Sequence, residues 1–201
     1  MGAEEKINFV SVEDYLEGEK SSELKHEYVD GQVYAMSGGT ANHSAVSVNF
    51  QSGLREQLRD SSCRAFNSDF NVRIQNIGGA FFYYPDSSVI RNPVDGSDLF
   101  SEAPVVILEV FSPSTRKFDD TQKKKDYFTI PSLKVLILAE PDTPFCNIYR
   151  RNGNQFTVEI ISGIDEVLDL PEIQCSLPLA DLYRDVDLDE TETSKSSGAI
   201  E

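Results

Sequence analysis

The chain has 201 residues, 39% of them hydrophobic, which suits one domain with a real core. Its net charge of −16 excludes a broad basic footprint for nucleic acid, and its apolar runs fall far short of the roughly 20 residues of a membrane span. Cys63, Cys146 and Cys175 are few, odd in number and far apart, which excludes a disulfide framework or a thiolate zinc site and predicts small buried thiols.

Met1–Lys6 is polar and acidic, not a basic leader before an apolar stretch, so the expected location is cytoplasmic. Ser11-Val-Glu-Asp14 has the form of a helix start, and a short helix is predicted to about Glu19. Glu27–Val29 and Gln32–Met36 flank Asp30-Gly31 and predict a hairpin. Val46, Phe50, Leu54 and Leu58 recur every four residues, giving a helix from about Ala41 to Arg59. Phe70, Val72 and Ile74 alternate with polar residues and mark a strand. Phe81–Tyr84 and Ser88–Ile90 read as a second strand, interrupted by Pro85-Asp86. Pro104–Phe111 is almost wholly apolar, as expected of a strand buried on both faces.

From Lys117 to Thr129 the pattern is polar and helical, ending before Pro131. Leu133–Ala139 is another buried strand, so the third strand, this helix and this strand form a crossover unit. Phe145–Arg150 and Gln155–Ile161 flank a second hairpin signal at Arg151-Asn-Gly-Asn154, and Leu177–Tyr183 holds a last helical turn. One α/β domain over 1–184 is expected, a mixed sheet flanked by helices with added β-hairpins. Asp185–Glu201 carries six acidic residues against one lysine and reads as a disordered tail. By contrast, Arg116–Lys125 holds five basic residues and two acidic ones, a local patch able to steer a phosphate.

Three features are out of place. Glu109 lies within Val105-Val-Ile-Leu-Glu-Val-Phe111, where an unpartnered carboxylate would cost several kcal/mol or more. It needs a basic partner, a metal ion, or a strand end reached by water. Asp86 follows Pro85 inside an aromatic-rich strand, where aspartate is disfavoured and proline distorts the ladder. Asp119, Lys123 and Tyr127 are spaced by four and share a helix face behind the hydroxyl-rich Ser112-Pro-Ser-Thr115 loop. Two carboxylates on neighbouring strands can hold Mg²⁺ or Mn²⁺ for phosphodiester hydrolysis, with a lysine to orient water or steady the developing charge. A nucleophile elbow and a phosphate loop ending in Gly-Lys-Ser/Thr are both missing, and two histidines make a poor zinc site.

Tyr84-Pro-Asp86, Ile107-Leu-Glu-Val-Phe-Ser-Pro-Ser-Thr115, Asp119-x-x-x-Lys123-x-x-x-Tyr127 and Ile130-Pro-Ser-Leu133 resemble the Uma family of putative restriction endonucleases, within the PD-(D/E)XK nuclease superfamily. The likeness extends upstream to His26–Gly31, Met36–Gly39 and His43, and covers roughly Val10 to Tyr183. It implies a restriction-endonuclease-like core with Asp86 and Glu109 as metal ligands. The superfamily's lysine two residues after the glutamate is replaced here by Phe111; the family spacing instead puts Lys123, rather than Lys124 or Lys125, in that role. Glu27 and His43 match further family positions and are expected near the mouth of the site. Val135-Leu136 stands where the family often has Glu-Tyr. The function implied is a Mg²⁺- or Mn²⁺-dependent DNA endonuclease, as a homodimer if it cuts both strands. The competing expectation, favoured by the acidic charge and by Phe111, is an inactive nuclease-fold binding or assembly module.

Overall fold

The computed structural model describes residues 9–91 and 94–189. Helix α1 (Val12–Ser21) starts as predicted, with Ser11 Oγ accepting the Asp14 N–H at 3.0 Å. Strands β1 (His26–Val29) and β2 (Gln32–Ala35) turn at Asp30 and Gly31, whose φ angles of 44° and 91° are those a tight type I′ turn demands. Helix α2 (Ala41–Gln57) buries Val46, Phe50 and Leu54 completely. Each such side chain contributes about 1.5–3 kcal/mol.

Strands β3 (Arg64–Asn67), β4 (Asn71–Asn76), β5 (Gly79–Tyr83) and β6 (Ser87–Ile90) follow. Here the sequence expectation needs correcting. Phe81 to Ile90 is two strands in two sheets, not one interrupted strand. Pro85 has no N–H for a ladder, and the chain leaves one sheet for the other at that point. Strand β7 (Phe100–Ser101) is short, and β8 (Pro104–Val110) is buried along its whole length. Arg116–Phe118, Asp119–Lys123 and Lys124–Phe128 run on as one helix, α3, whose middle segment is π-helical. Next come β9 (Val135–Ala139), β10 (Phe145–Asn152) and β11 (Gln155–Ser162), then a small hairpin of β12 (Val167–Leu170) and β13 (Cys175–Pro178), and a final turn α4 (Leu179–Leu182).

A five-stranded sheet has the order β2-β1-β5-β4-β7, and a six-stranded sheet the order β11-β10-β9-β8-β6-β3. Both are mixed: β8 runs parallel to β9, and β4 to β7, while the other pairs are antiparallel. The β8-α3-β9 crossover is the unit read from the sequence. Alternation along β8 sends Val106, Leu108 and Val110 into the core under α2, and Ile107 and Phe111 into the core under α3. Glu109 shares the second face, which decides what it can meet. The β12–β13 hairpin, not foreseen, closes the other side of α2 with Leu168, Leu170, Cys175 and Leu177.

All three cysteines are buried and free, as expected. The acidic tail was predicted from Asp185, but Asp187 exchanges two hydrogen bonds with Asn42, at 2.8 and 3.1 Å, and Val186 packs on the core. The rest of the predicted tail, 190–201, lies outside the described residues.

Candidate active site

Glu109 is only 4% exposed, and two groups from α3 meet it there. Lys123 Nζ is 2.9 Å from Glu109 Oε1, and the Tyr127 hydroxyl donates to the same oxygen at 2.7 Å. Lys123 also lies 2.9 Å from Glu27 Oε1 on β1 and 3.9 Å from Asp119 Oδ1 one helical turn back. The helix face inferred from the four-residue spacing is therefore the inward face, and Asp119, Lys123 and Tyr127 are all buried. Lys124 instead turns away to Asp120 at 2.6 Å, and Lys125 is exposed.

Asp86 sits in the bend that joins the two sheets, one residue before β6. Ser87 pairs with Leu108, which brings Asp86 alongside the end of β8, where its Oδ2 accepts the Val110 N–H at 2.7 Å. His43 Nε2 lies 3.2 Å from the same oxygen. Two features of the α2 start set where the His43 main chain begins and leave room for its ring. Thr40 Oγ1 accepts the His43 N–H, and residue 39 is glycine, where a Cβ would fall 2.6 Å from His43 Nδ1. Gly39 is thus required by the close approach of the ring.

The electrostatics follow from burial. Desolvation pushes the Glu109 carboxyl up to about 8; Lys123 opposes the rise, while Asp86 and Asp119 add to it. Burial works against the Lys123 charge, but Glu109, Glu27 and Asp119 outweigh it and hold the ammonium well above its ordinary value. Asp119 is raised mainly by burial. His43 is raised by its hydrogen bond to Asp86, against burial. Three carboxylates around one ammonium, with Asp86 in the same cavity, leave the site short of positive charge.

Asp86, Glu109, Lys123, Glu27 and His43 all line one cavity of about 390 Å³, together with Asp119 and the main chain of Val110. The carboxylate contacts above fall on Asp86 Oδ2 and Glu109 Oε1, leaving Asp86 Oδ1 and Glu109 Oε2 out of them. Hard oxygens of this kind suit Mg²⁺ or Mn²⁺. Among the described residues no three His, Cys, Asp or Glu side chains form a ligand cluster. Such an ion would take two carboxylates from the chain and fill its shell with main-chain, water and substrate oxygens, as Mg²⁺ commonly does.

The family model described as "Putative restriction endonuclease", Uma2, matches residues 12–180. The chain belongs to the Uma2 family. Two Synechocystis (strain PCC 6803) proteins are similar over most of their length: slr1290, 33% identical over 87% of this chain and 92% of its own, and sll1609, 30% identical over 71% and 81%. A crystal structure from Anabaena variabilis, titled a putative nuclease belonging to DUF820, superposes with a TM-score of 0.71 over 87% of this chain and 97% of its own, at 20% identity. The mixed α/β, restriction-endonuclease-like fold expected from the resemblance is the fold observed.

In this Uma2 chain the five site residues named from sequence come together from four elements and a bend. Glu27 lies deeper than expected, in contact with Lys123 and not only at the mouth. Phe111, where a superfamily lysine would stand, is buried in the core under the Arg116 guanidinium. Val135 and Leu136, where Glu-Tyr is frequent, are fully buried in β9 and touch packing only. The basic patch at 116–125 is largely neutralised: Arg116 pairs with Glu140, Lys124 with Asp120, and Lys123 faces inward. Sequence reasoning missed the main chain of Val110, which no side-chain pattern can signal. It also missed Tyr34, which read only as a strand residue. Among the described residues no helix is long and apolar enough to cross a membrane.

Proposed function

We propose that this protein is a Mg²⁺- or Mn²⁺-dependent endonuclease that hydrolyses DNA phosphodiester bonds at the Asp86–Glu109–Lys123 site. The observation that carries the reading is the convergence of a bend, a strand and a helix on one cavity, with Lys123 Nζ 2.9 Å from Glu109. Asp86 and Glu109 would hold the ion. When bound, it supplies a Lewis acid and a water acidic enough to attack at neutral pH.

The chain's own groups set up the rest. Val110 N–H and His43 fix the rotamer of Asp86. Tyr127 fixes Glu109. Glu27 and Asp119 hold the Lys123 ammonium at the cavity wall, where it orients the attacking water and steadies charge on the phosphoryl oxygens. Lys123 reaches Glu109 from a helix and not from two residues along the strand, so Phe111 does not leave the site without its cation. That weighs against the inactive-module reading. Cutting both strands of a duplex would require two such sites, which a homodimer would provide.

Incubating the protein with DNA and Mg²⁺ or Mn²⁺ tests this. Asp86→Asn and Glu109→Gln are expected to lose activity by about 10³-fold, in the range seen when charge stabilisation is removed from a site. His43→Ala and Glu27→Gln should lose about 10–100-fold, as supporting groups around a metal do. Equal cleavage by wild type and Asp86→Asn would exclude the site.

A further inference from the structure

We infer that the strand cut at this site is an unpaired one, bound by stacking of a base on Tyr34 and not by the charge of a duplex. The inference rests on the proposed nuclease reading and specifies its substrate.

Three observations converge on it. First, the reactive groups are recessed. Glu109 and Lys123 have side chains 6% exposed, and Asp86 and Glu27 only 16% and 15%. A duplex is stiff over about 50 nm and carries its phosphates on a convex surface, so it reaches the floor of a cavity only with deformation. A single strand enters a narrow cleft freely.

Second, the cavity offers little for counterion release, which dominates duplex affinity. Among the described residues lining it, Lys123 is the one lysine or arginine, three carboxylates already face its ammonium, and His43 is engaged by Asp86. Past His43 and Asp86 the cavity opens into a second cleft along α2, lined by Ser44, Ser47, Gln51 and Asn67 with Lys25 and Glu23. Lys25 is paired with Asp69 at 2.6 Å. The path is polar and carries no surplus of positive charge, which suits a strand held by hydrogen bonds and base stacking.

Third, an aromatic ring stands where a base would pass. Tyr34 on β2 is directly paired with Glu27 on β1, so the two side chains share a face. Glu27 points to Lys123, and Tyr34 lines the same cavity while remaining 55% exposed. An exposed tyrosine on a sheet face beside a phosphodiester site is a stacking platform that tolerates any base sequence.

The test is fluorescence anisotropy in EDTA, with a labelled 15-mer DNA strand alone and annealed to its complement. The strand is expected to bind at least 10-fold tighter than the duplex. Tyr34→Ala should weaken strand binding about 10-fold and duplex binding less than twofold, while Tyr34→Phe keeps strand affinity within twofold. Tyr34 is exposed, so its replacement leaves the fold in place. The salt slope for the strand should correspond to no more than about two phosphates. Duplex binding as tight as strand binding, binding to neither, or an unchanged affinity in Tyr34→Ala would overturn the inference. A duplex that is bound and cut would overturn it while leaving the nuclease reading intact. A strand that is bound through Tyr34 but stays uncut with Mn²⁺ would end the nuclease reading and, with it, the inference that this strand is the one cut, leaving only the stacking contact.

Discussion

At the scale of the residue, Glu109 is the group on which function and stability pull apart. Its folded-state value of about 8 lies above the ordinary 4.5 because burial disfavours the charged form. The sign of the consequence is fixed. A raised carboxyl favours the folded protein while it is protonated, below about pH 4.5, and that contribution drains as pH rises through about 8. Glu109→Gln keeps an acceptor for Tyr127 and removes the buried charge. In EDTA the variant should therefore gain on the wild type as pH rises from 5 to 8, reaching about 1–3 kcal/mol by urea unfolding, and the gain should level off above that. A difference that is flat with pH would mean that Glu109 is ionised throughout. The anomaly at Glu109 was legible because a carboxylate in an apolar run must be satisfied somehow, though the sequence left open by what. Position 123 was legible through the family spacing and the face shared with Asp119, since Lys124 and Lys125 are chemically equal in the chain. The Val110 main chain was not legible at all, because every residue carries the same amide.

At the scale of the element, α3 decides which side chains reach the site. Asp119–Lys123 is π-helical, and the Lys124 N–H reaches back five residues to the Asp119 carbonyl. Such single-turn expansions are common at functional sites. Deleting Thr121, an exposed residue inside the expansion, would return the helix to α geometry and place Asp119, Lys123 and Tyr127 at i, i+3 and i+7. They would still share a face, but the Asp119 carboxylate would be offset by one residue from the Lys123 ammonium. The deletion is expected to reduce cleavage by up to about 100-fold by displacing Lys123 against Glu109, and to lower stability by about 1–3 kcal/mol. Cleavage and melting like those of the wild type would show that the expansion is incidental. The four-residue spacing gave no sign of it, because a run of i, i+4 positions fits either helix. The passage of the chain between sheets at Pro85-Asp86 escaped for a related reason: proline signals a broken ladder but not which sheet receives the next strand. Strands β3, β7, β12 and β13 are short, and without a long alternating run they left no periodic trace.

At the scale of the whole molecule, two sheets and two helices exist to bring acids together in an already acidic protein. The net charge of −16 argues against binding DNA by broad attraction, and the local basic run at 116–125 is mostly tied up in ion pairs. What the arrangement concentrates is negative charge at one cavity, which is the setting for a hard cation. The most direct measurement is anomalous diffraction from crystals soaked in Mn²⁺. The expected result is one strong peak between the carboxylates of Asp86 and Glu109, absent in Asp86→Asn crystals. Well-diffracting crystals in millimolar Mn²⁺ with no peak at that position, or with one that survives the substitution, would contradict it.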